Sequence, residues 1–106
     1  MVLLTRAEEI VLLAVYKLKD NAYGVTIREQ VKADIGRYWA FGVIYKTLKK
    51  MQAKGYIDKI TGEPLSQRGG RSRYFYRITD RGLQALDEIA NVHASLWEGV
   101  RLSLEK

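Results

Sequence analysis

A change of hydrophobic period at Gly55 constrains this chain more than any other feature. Upstream, Phe41, Ile44, Leu48 and Met51 fall three, four and three apart, the spacing of one face of an α-helix. Downstream, Tyr74, Tyr76 and Ile78 alternate with Phe75 and Arg77, the spacing of one face of a strand. A chain of 106 residues has room for one domain, so both patterns must share a single core.

Two further helical segments come before the third. The first opens with Thr5-Arg-Ala-Glu8, a capping box in which hydroxyl and carboxylate each satisfy the other's backbone N–H. From Ile10 to Leu18 nearly every side chain is apolar, which predicts a helix covered on more than one side. Asp20-Asn21 marks a turn. The second helix runs from about Val25 to Asp34, with Ile27 and Val31 on one side and Arg28, Glu29 and Lys32 on the other. Gly36 supplies the left-handed residue that ends it. The third runs from about Ala40 to Lys54 and ends at Gly55.

Tyr56 to Ile60 and Arg73 to Ile78 read as strands, with a turn-rich segment from Gly62-Glu-Pro64 between them. Thr79-Asp80 caps a last, long helix. Its apolar positions Leu83, Leu86, Ala90, His93, Trp97, Val100 and Leu104 alternate three and four apart, a heptad seam with one polar member. Three helices, a hairpin and a final helix make an α+β, mainly α chain. The expected architecture is a winged helix-turn-helix over residues 1–79, followed by a long C-terminal dimerisation helix over 80–106. Little of so small a domain is left to bury the seam, so the helix is expected to pair with its copy in a second subunit.

Charge sets the class of partner. Eighteen Lys and Arg against twelve Asp and Glu leave a net +6, which favours an anionic partner. The third helix places Gly42, Val43, Lys46, Lys49, Lys50 and Ala53 opposite its apolar stripe. Lys46 and Lys49 sit mid-helix, where they can reach a DNA major groove or its flanking phosphates. Gly42 and Val43 let the helix N-terminus approach closely, and that terminus itself favours phosphate. Tyr45, at the edge of the stripe, reads either as a hydroxyl on a phosphate or as a boundary core residue. Between the strands, Arg68-Gly69-Gly70-Arg71 with Arg73 reads as a hairpin bend carrying charge along a DNA backbone or into a minor groove. The triplet occurs once, unlike a repeated RNA-binding box, and it lacks the strand-loop-helix setting of a phosphate loop.

Several classes are excluded. The longest apolar run, Ile10 to Tyr16, is too short to span a bilayer. Met1 to Thr5 shows no secretory lead, so a cytoplasmic location is expected. Without cysteine there is neither a disulfide scaffold nor a thiolate metal site. One histidine and scattered acids pair no nucleophile with a base and gather no metal ligands. The expectation is a protein that is not an enzyme and carries no metal or cofactor.

Thr5-x-x-Glu8 before an apolar helix, Tyr23-Gly24-x-x-Ile27, Phe41-Gly42-x-x-Tyr45-x-x-Leu48, Lys54-Gly55-Tyr56-Ile57, Arg68-Gly69-Gly70-Arg71 and Tyr76-Arg77-Ile78-Thr79-x-x-Gly82 occur in that order. The ordered set resembles the PadR family of transcriptional regulators, in particular its short subfamily with one helix after the wing. The resemblance implies a homodimeric repressor on a near-palindromic operator in double-stranded DNA, often released by a small molecule. This chain has Lys50-Met51-Gln52 where such regulators commonly carry Arg-Leu-Glu, which makes its third helix more basic. Leu86, Ala90, His93, Trp97, Val100 and Leu104 are the expected dimer interface. Trp97 reads either as a dimer-core residue or as one of two indoles sandwiching a flat aromatic or cationic effector, and His93 as an interface histidine. The competing classes are a protein-interaction module and a weakly specific architectural DNA binder on the same fold.

Overall fold

The structure, a computed structural model, describes residues 2–61 and 74–104. Helix α1 (Arg6–Leu18) starts on the expected capping box: the Thr5 hydroxyl accepts from the Glu8 N–H at 3.1 Å and the Glu8 carboxylate from the Thr5 N–H at 2.9 Å. Val11, Leu12, Ala14 and Val15 are all buried. Four buried positions in five cannot share one helix face, and α1 is accordingly packed from several sides by the other elements. It ends on Lys19, whose φ of 54° makes it the only non-glycine with positive φ among the described residues. A short 3₁₀ turn, Lys19–Asn21, follows.

Helix α2 (Gly24–Ile35) buries Ile27 and Val31 and stops at Gly36, in the left-handed conformation at φ 80°. Helix α3 (Phe41–Ala53) buries Ile44, Leu48 and Met51, and also Thr47, whose hydroxyl donates to the Val43 carbonyl at 2.8 Å. Phe41, the first member of the predicted stripe, stays partly exposed because it lies on α2 instead of entering the core. Gly55 again takes φ 80° and turns the chain into β1 (Ile57–Thr61), which pairs antiparallel with β2 (Tyr74–Ile78), Ile57 facing Ile78 and Thr61 facing Tyr74. The Tyr76 N–H donates to the Ala22 carbonyl at 2.8 Å, tying the hairpin to the α1–α2 connection. The side chains of Ile57 and Tyr76 complete the core begun by Leu12, Ile27, Ile44 and Leu48.

Helix α4 (Asp80–Trp97) is rooted in that hairpin. The Thr79 hydroxyl accepts from the Gly82 N–H at 3.1 Å and donates to the Gly55 carbonyl at 2.6 Å. Gly82 lies so close to β1 that a Cβ there would come within 2.3 Å of the Tyr56 carbonyl oxygen. The sequence therefore reads correctly as three helices, a hairpin and a helix, the winged arrangement of an α+β, mainly α chain.

Two features of α4 differ from expectation. The helix ends at Trp97 and does not carry its seam to Leu104: Glu98 is extended, Gly99 takes φ 74°, and the Val100 N–H closes a turn onto the Trp97 carbonyl. Val100 and Leu104 thus lie beyond the helix. The helix also bears two apolar stripes about 100° apart. Gly82, Ala85 and Ile89 are the buried one, packed on the body of the chain. Leu83, Ala90 and Trp97 remain exposed beside them, with Leu86 and His93 partly covered between. The predicted seam thus lies beside the core contact of α4, which is made by the small residues Gly82 and Ala85 with Ile89.

Candidate nucleic-acid interface

The outward face of α3 is built by subtraction. Ile44, Thr47, Leu48 and Met51 take the inner side, which leaves Gly42, Val43, Lys46, Lys49, Lys50 and Ala53 exposed. All the α3 residues expected at this surface lie on it together. Between Asp34 and Asp58 the sequence has no acid, while Arg37, Lys46, Lys49, Lys50 and Lys54 fall in the same stretch. No carboxylate of its own segment neutralises the helix face. Ala40, at the N-cap, offers no capping side chain; the Val43 N–H turns back to the Ala40 carbonyl at 3.0 Å, which leaves the N–H groups of Phe41 and Gly42 for solvent or an anion.

Lys54 is different. Its ammonium lies 2.6 Å from the carboxylate of Glu8, a side chain only 3% exposed. Burial pulls the Glu8 carboxyl upward, but the hydrogen bonds from Lys54 and the Thr5 N–H, with the Lys54 charge, outweigh it and leave the pKa below the ordinary carboxylate value. The capping box thus also closes an ion pair from α1 to the end of α3, which its sequence pattern does not reveal.

Tyr45 lies at the edge of the outward α3 face. Its ring is half exposed, stacks on Phe41 at 6.2 Å between centroids, and sets its hydroxyl against Gly24. A Cβ on Gly24 would come within 2.0 Å of that oxygen. The Tyr23-Gly24 and Phe41-x-x-x-Tyr45 patterns are therefore two halves of one contact between α2 and α3.

Sequence reasoning missed the cluster at the start of α3. Arg28 of α2 donates its Nε–H to the Trp39 carbonyl at 2.7 Å, and its guanidinium lies 4.5 Å from the Tyr38 ring and 4.6 Å from the Phe41 ring. The Tyr38 hydroxyl donates to Glu29 at 3.0 Å, and that hydrogen bond pushes the phenol pKa above its ordinary value. Tyr38 and Phe41 flanking Trp39 in a turn, with an arginine one helix earlier, was the available signal. On the far side, the wing residues Arg68, Gly69, Gly70, Arg71 and Arg73 lie outside the described residues. In β1, the strand before those residues, Lys59 lies over the Tyr74 ring at 4.0 Å.

On α4, Nε2 of His93 lies 3.1 Å from both carboxylate oxygens of Glu9 on α1, so the expected interface histidine is partnered within its own chain. Leu86 packs partly on the core. Ala90 and Trp97 are exposed on the helix, as are Val100 and Leu104 beyond it. Among the described residues no cluster of His, Cys, Asp or Glu could hold a metal ion, and no helix is long and apolar enough to cross a membrane.

The pattern described as the transcriptional regulator PadR-like family matches residues 12–88. Among solved structures, the fold is similar to a PadR family transcription regulator from hypervirulent Clostridium difficile R20291, with 24% identity over 89% of this chain and 92% of that one and a TM-score of 0.67. A PadR family transcriptional regulator from Eggerthella lenta DSM 2243 is 26% identical over 85% of this chain and 76% of that one, with a TM-score of 0.67. BpsR of Bordetella bronchiseptica, whose DNA binding is regulated by 6-hydroxynicotinic acid, is 15% identical over 92% of this chain and 68% of that one, with a TM-score of 0.64. No curated protein is similar enough in sequence to count as a relative.

Proposed function

Because this chain belongs to the PadR-like family of transcriptional regulators, which are not enzymes, we propose that it is a homodimeric repressor reading a near-palindromic operator. The observation that carries the reading is the acid-free, lysine-bearing outer face of α3. Lys46 and Lys49 would enter or flank a major groove, with Lys50 on the adjoining phosphates. Gly42 and Val43, which carry little bulk, would let the N-terminus of α3 approach the backbone. Tyr45 serves this face indirectly, by fixing α3 against α2. Arg68, Arg71 and Arg73, with the bend at Gly69 and Gly70, would follow the flanking backbone or minor groove. Lysine contributes charge more than base discrimination, so sequence preference would come from few base contacts together with DNA shape.

In this reading residues 1–79 bind DNA and 80–106 join the two subunits. The exposed stripe of Leu83, Ala90 and Trp97, with Leu86 beside it, supplies the surface that a second copy would cover, and Val100 and Leu104 would extend it beyond the helix. Trp97, 55% exposed, would meet its symmetry mate or hold a flat aromatic or cationic effector there. The ligand regulation of BpsR supports looking for such an effector. The protein would act in the cytoplasm.

Selection from sheared genomic DNA at about 150 mM salt, where non-specific binding is weakened, tests the reading. Retained fragments are expected to share a near-palindrome with half-sites about one helical turn apart. Retention of unrelated sequences would mean an architectural binder instead, and no retention would remove DNA from the account.

A further inference from the structure

Beside the lysine face lies an arginine that the proposed interface does not use. The Arg28 guanidinium lies against two aromatic rings, Tyr38 at 4.5 Å and Phe41 at 4.6 Å, and its Nε–H is on the Trp39 carbonyl at 2.7 Å. A guanidinium has five N–H donors. Among the described residues, no acceptor meets the four on its terminal nitrogens, and no carboxylate pairs with it. The adjacent Glu29 does not serve, since it accepts from the Tyr38 hydroxyl at 3.0 Å. What remains open is the planar edge that suits a phosphate held through two oxygens.

Its position fits that use. Phe41, which forms one wall, belongs to α3 and stacks on Tyr45 one turn later, so the cation continues the flank of the exposed α3 face at its N-terminal end. The walls also fix the guanidinium in advance, so little side-chain freedom is lost when an anion arrives. Holding the turn by the Trp39 carbonyl alone would need one donor and no aromatic walls.

We propose that Arg28 is a DNA-backbone contact, with its terminal N–H edge on one phosphate beside the groove that α3 enters. Tyr38 and Phe41 set where that phosphate lies and so fix the register of α3. This rests on the DNA-binding reading above.

The test compares the full-length wild type with Arg28→Gln and Arg28→Lys. Each is titrated with a 30-base-pair duplex (about three helical turns) of mixed sequence across a range of salt, and each is melted by circular dichroism. Glutamine keeps a donor for the Trp39 carbonyl and removes the charge. It is expected to melt near the wild type and to flatten the slope of log affinity against log salt by about 0.9 for each bound protomer. Lysine keeps the charge without the stacked fork, so its slope should match the wild type while affinity falls roughly tenfold. A folded Arg28→Gln protein with the wild-type slope overturns the proposal. Should that variant melt too low to titrate, Arg28→Lys decides: binding equal to the wild type would overturn the stacked contact. A wild type that binds no duplex would overturn both the proposal and the reading beneath it.

Discussion

At Glu8 a carboxylate that is almost wholly buried is held from two sides, by the N–H of Thr5 and by the ammonium of Lys54. Its folded pKa is depressed, so the stability it contributes is present above the ordinary carboxylate value of about 4.3. It is lost as pH falls through the lower folded value. Lys54→Met leaves the buried charge without its cation and is expected to cost about 1–3 kcal/mol at pH 7. The gap from wild type should close as both proteins are acidified, because a protonated Glu8 no longer needs the lysine. Melting curves at pH 7 and pH 3.5 check this, and a gap that stays constant would assign Lys54 another role. Lys19 carries strain of a different kind, with φ 54° and ψ −121°. Lys19→Gly removes a Cβ from a region that L-residues avoid and should raise stability by about 1 kcal/mol, measurable as a higher denaturant midpoint. At this scale the capping box was legible because its groups lie three residues apart. The Glu8–Lys54 and Arg28–Trp39 contacts were not, since each joins residues far apart in sequence and depends on how their segments pack.

Among the elements, two glycines set how helices meet. At Gly24 the obstacle is the Tyr45 ring, which can swing away; at Gly82 it is the Tyr56 carbonyl, which cannot. Gly24→Ala is therefore expected to cost about 1 kcal/mol. Most of that cost should vanish in the background of Tyr45→Ala, a non-additivity that a double-mutant cycle measures. Gly82→Ala gains about 1 kcal/mol of helix propensity, but overpacking against backbone costs about 3 kcal/mol; the clash wins and the melting temperature should fall. A Gly82→Ala protein as stable as the wild type would mean that α4 is not seated on Tyr56 as described. Periodicity revealed α2 and α3 because each buries one continuous face, and the unbroken apolar run revealed α1, which is covered on several sides. On α4 periodicity gave the outer stripe of Leu83, Ala90 and Trp97 but not the inner one of Gly82, Ala85 and Ile89 that lies next to it. Spacing alone cannot say which stripe faces the chain's own core, and Gly99 ends the helix before the sequence pattern does.

For the molecule as a whole, the outer stripe is the largest account still to be closed. Leu83→Glu places a charge within the proposed subunit contact while touching none of the buried stripe. It is expected to leave the fold intact by circular dichroism and to shift sedimentation from dimer to monomer. Duplex affinity should fall with it, since two linked α3 helices bind far better than one. If Leu83→Glu sediments like the wild type, the stripe is not the subunit interface. With two protomers neutralising about six phosphates between them, log affinity should fall against log salt with a slope near −5, and the monomeric variant should lose about half of that slope.

The seating of α4 on Gly82 has a mechanical consequence. From Gly82 to Trp97 the helix is a rod of about 22 Å, fixed at one end by the contact of Gly82 with Tyr56 and clipped part-way by Glu9 and His93. Such a rod has leverage. A tilt of about 10° at its root carries Trp97 through about 4 Å at that length, close to the thickness of one aromatic ring. If two copies pair along this helix as proposed, a flat molecule wedged between the two tips would need to spread them by only a ring's width to rotate both winged domains and change the separation of their α3 helices.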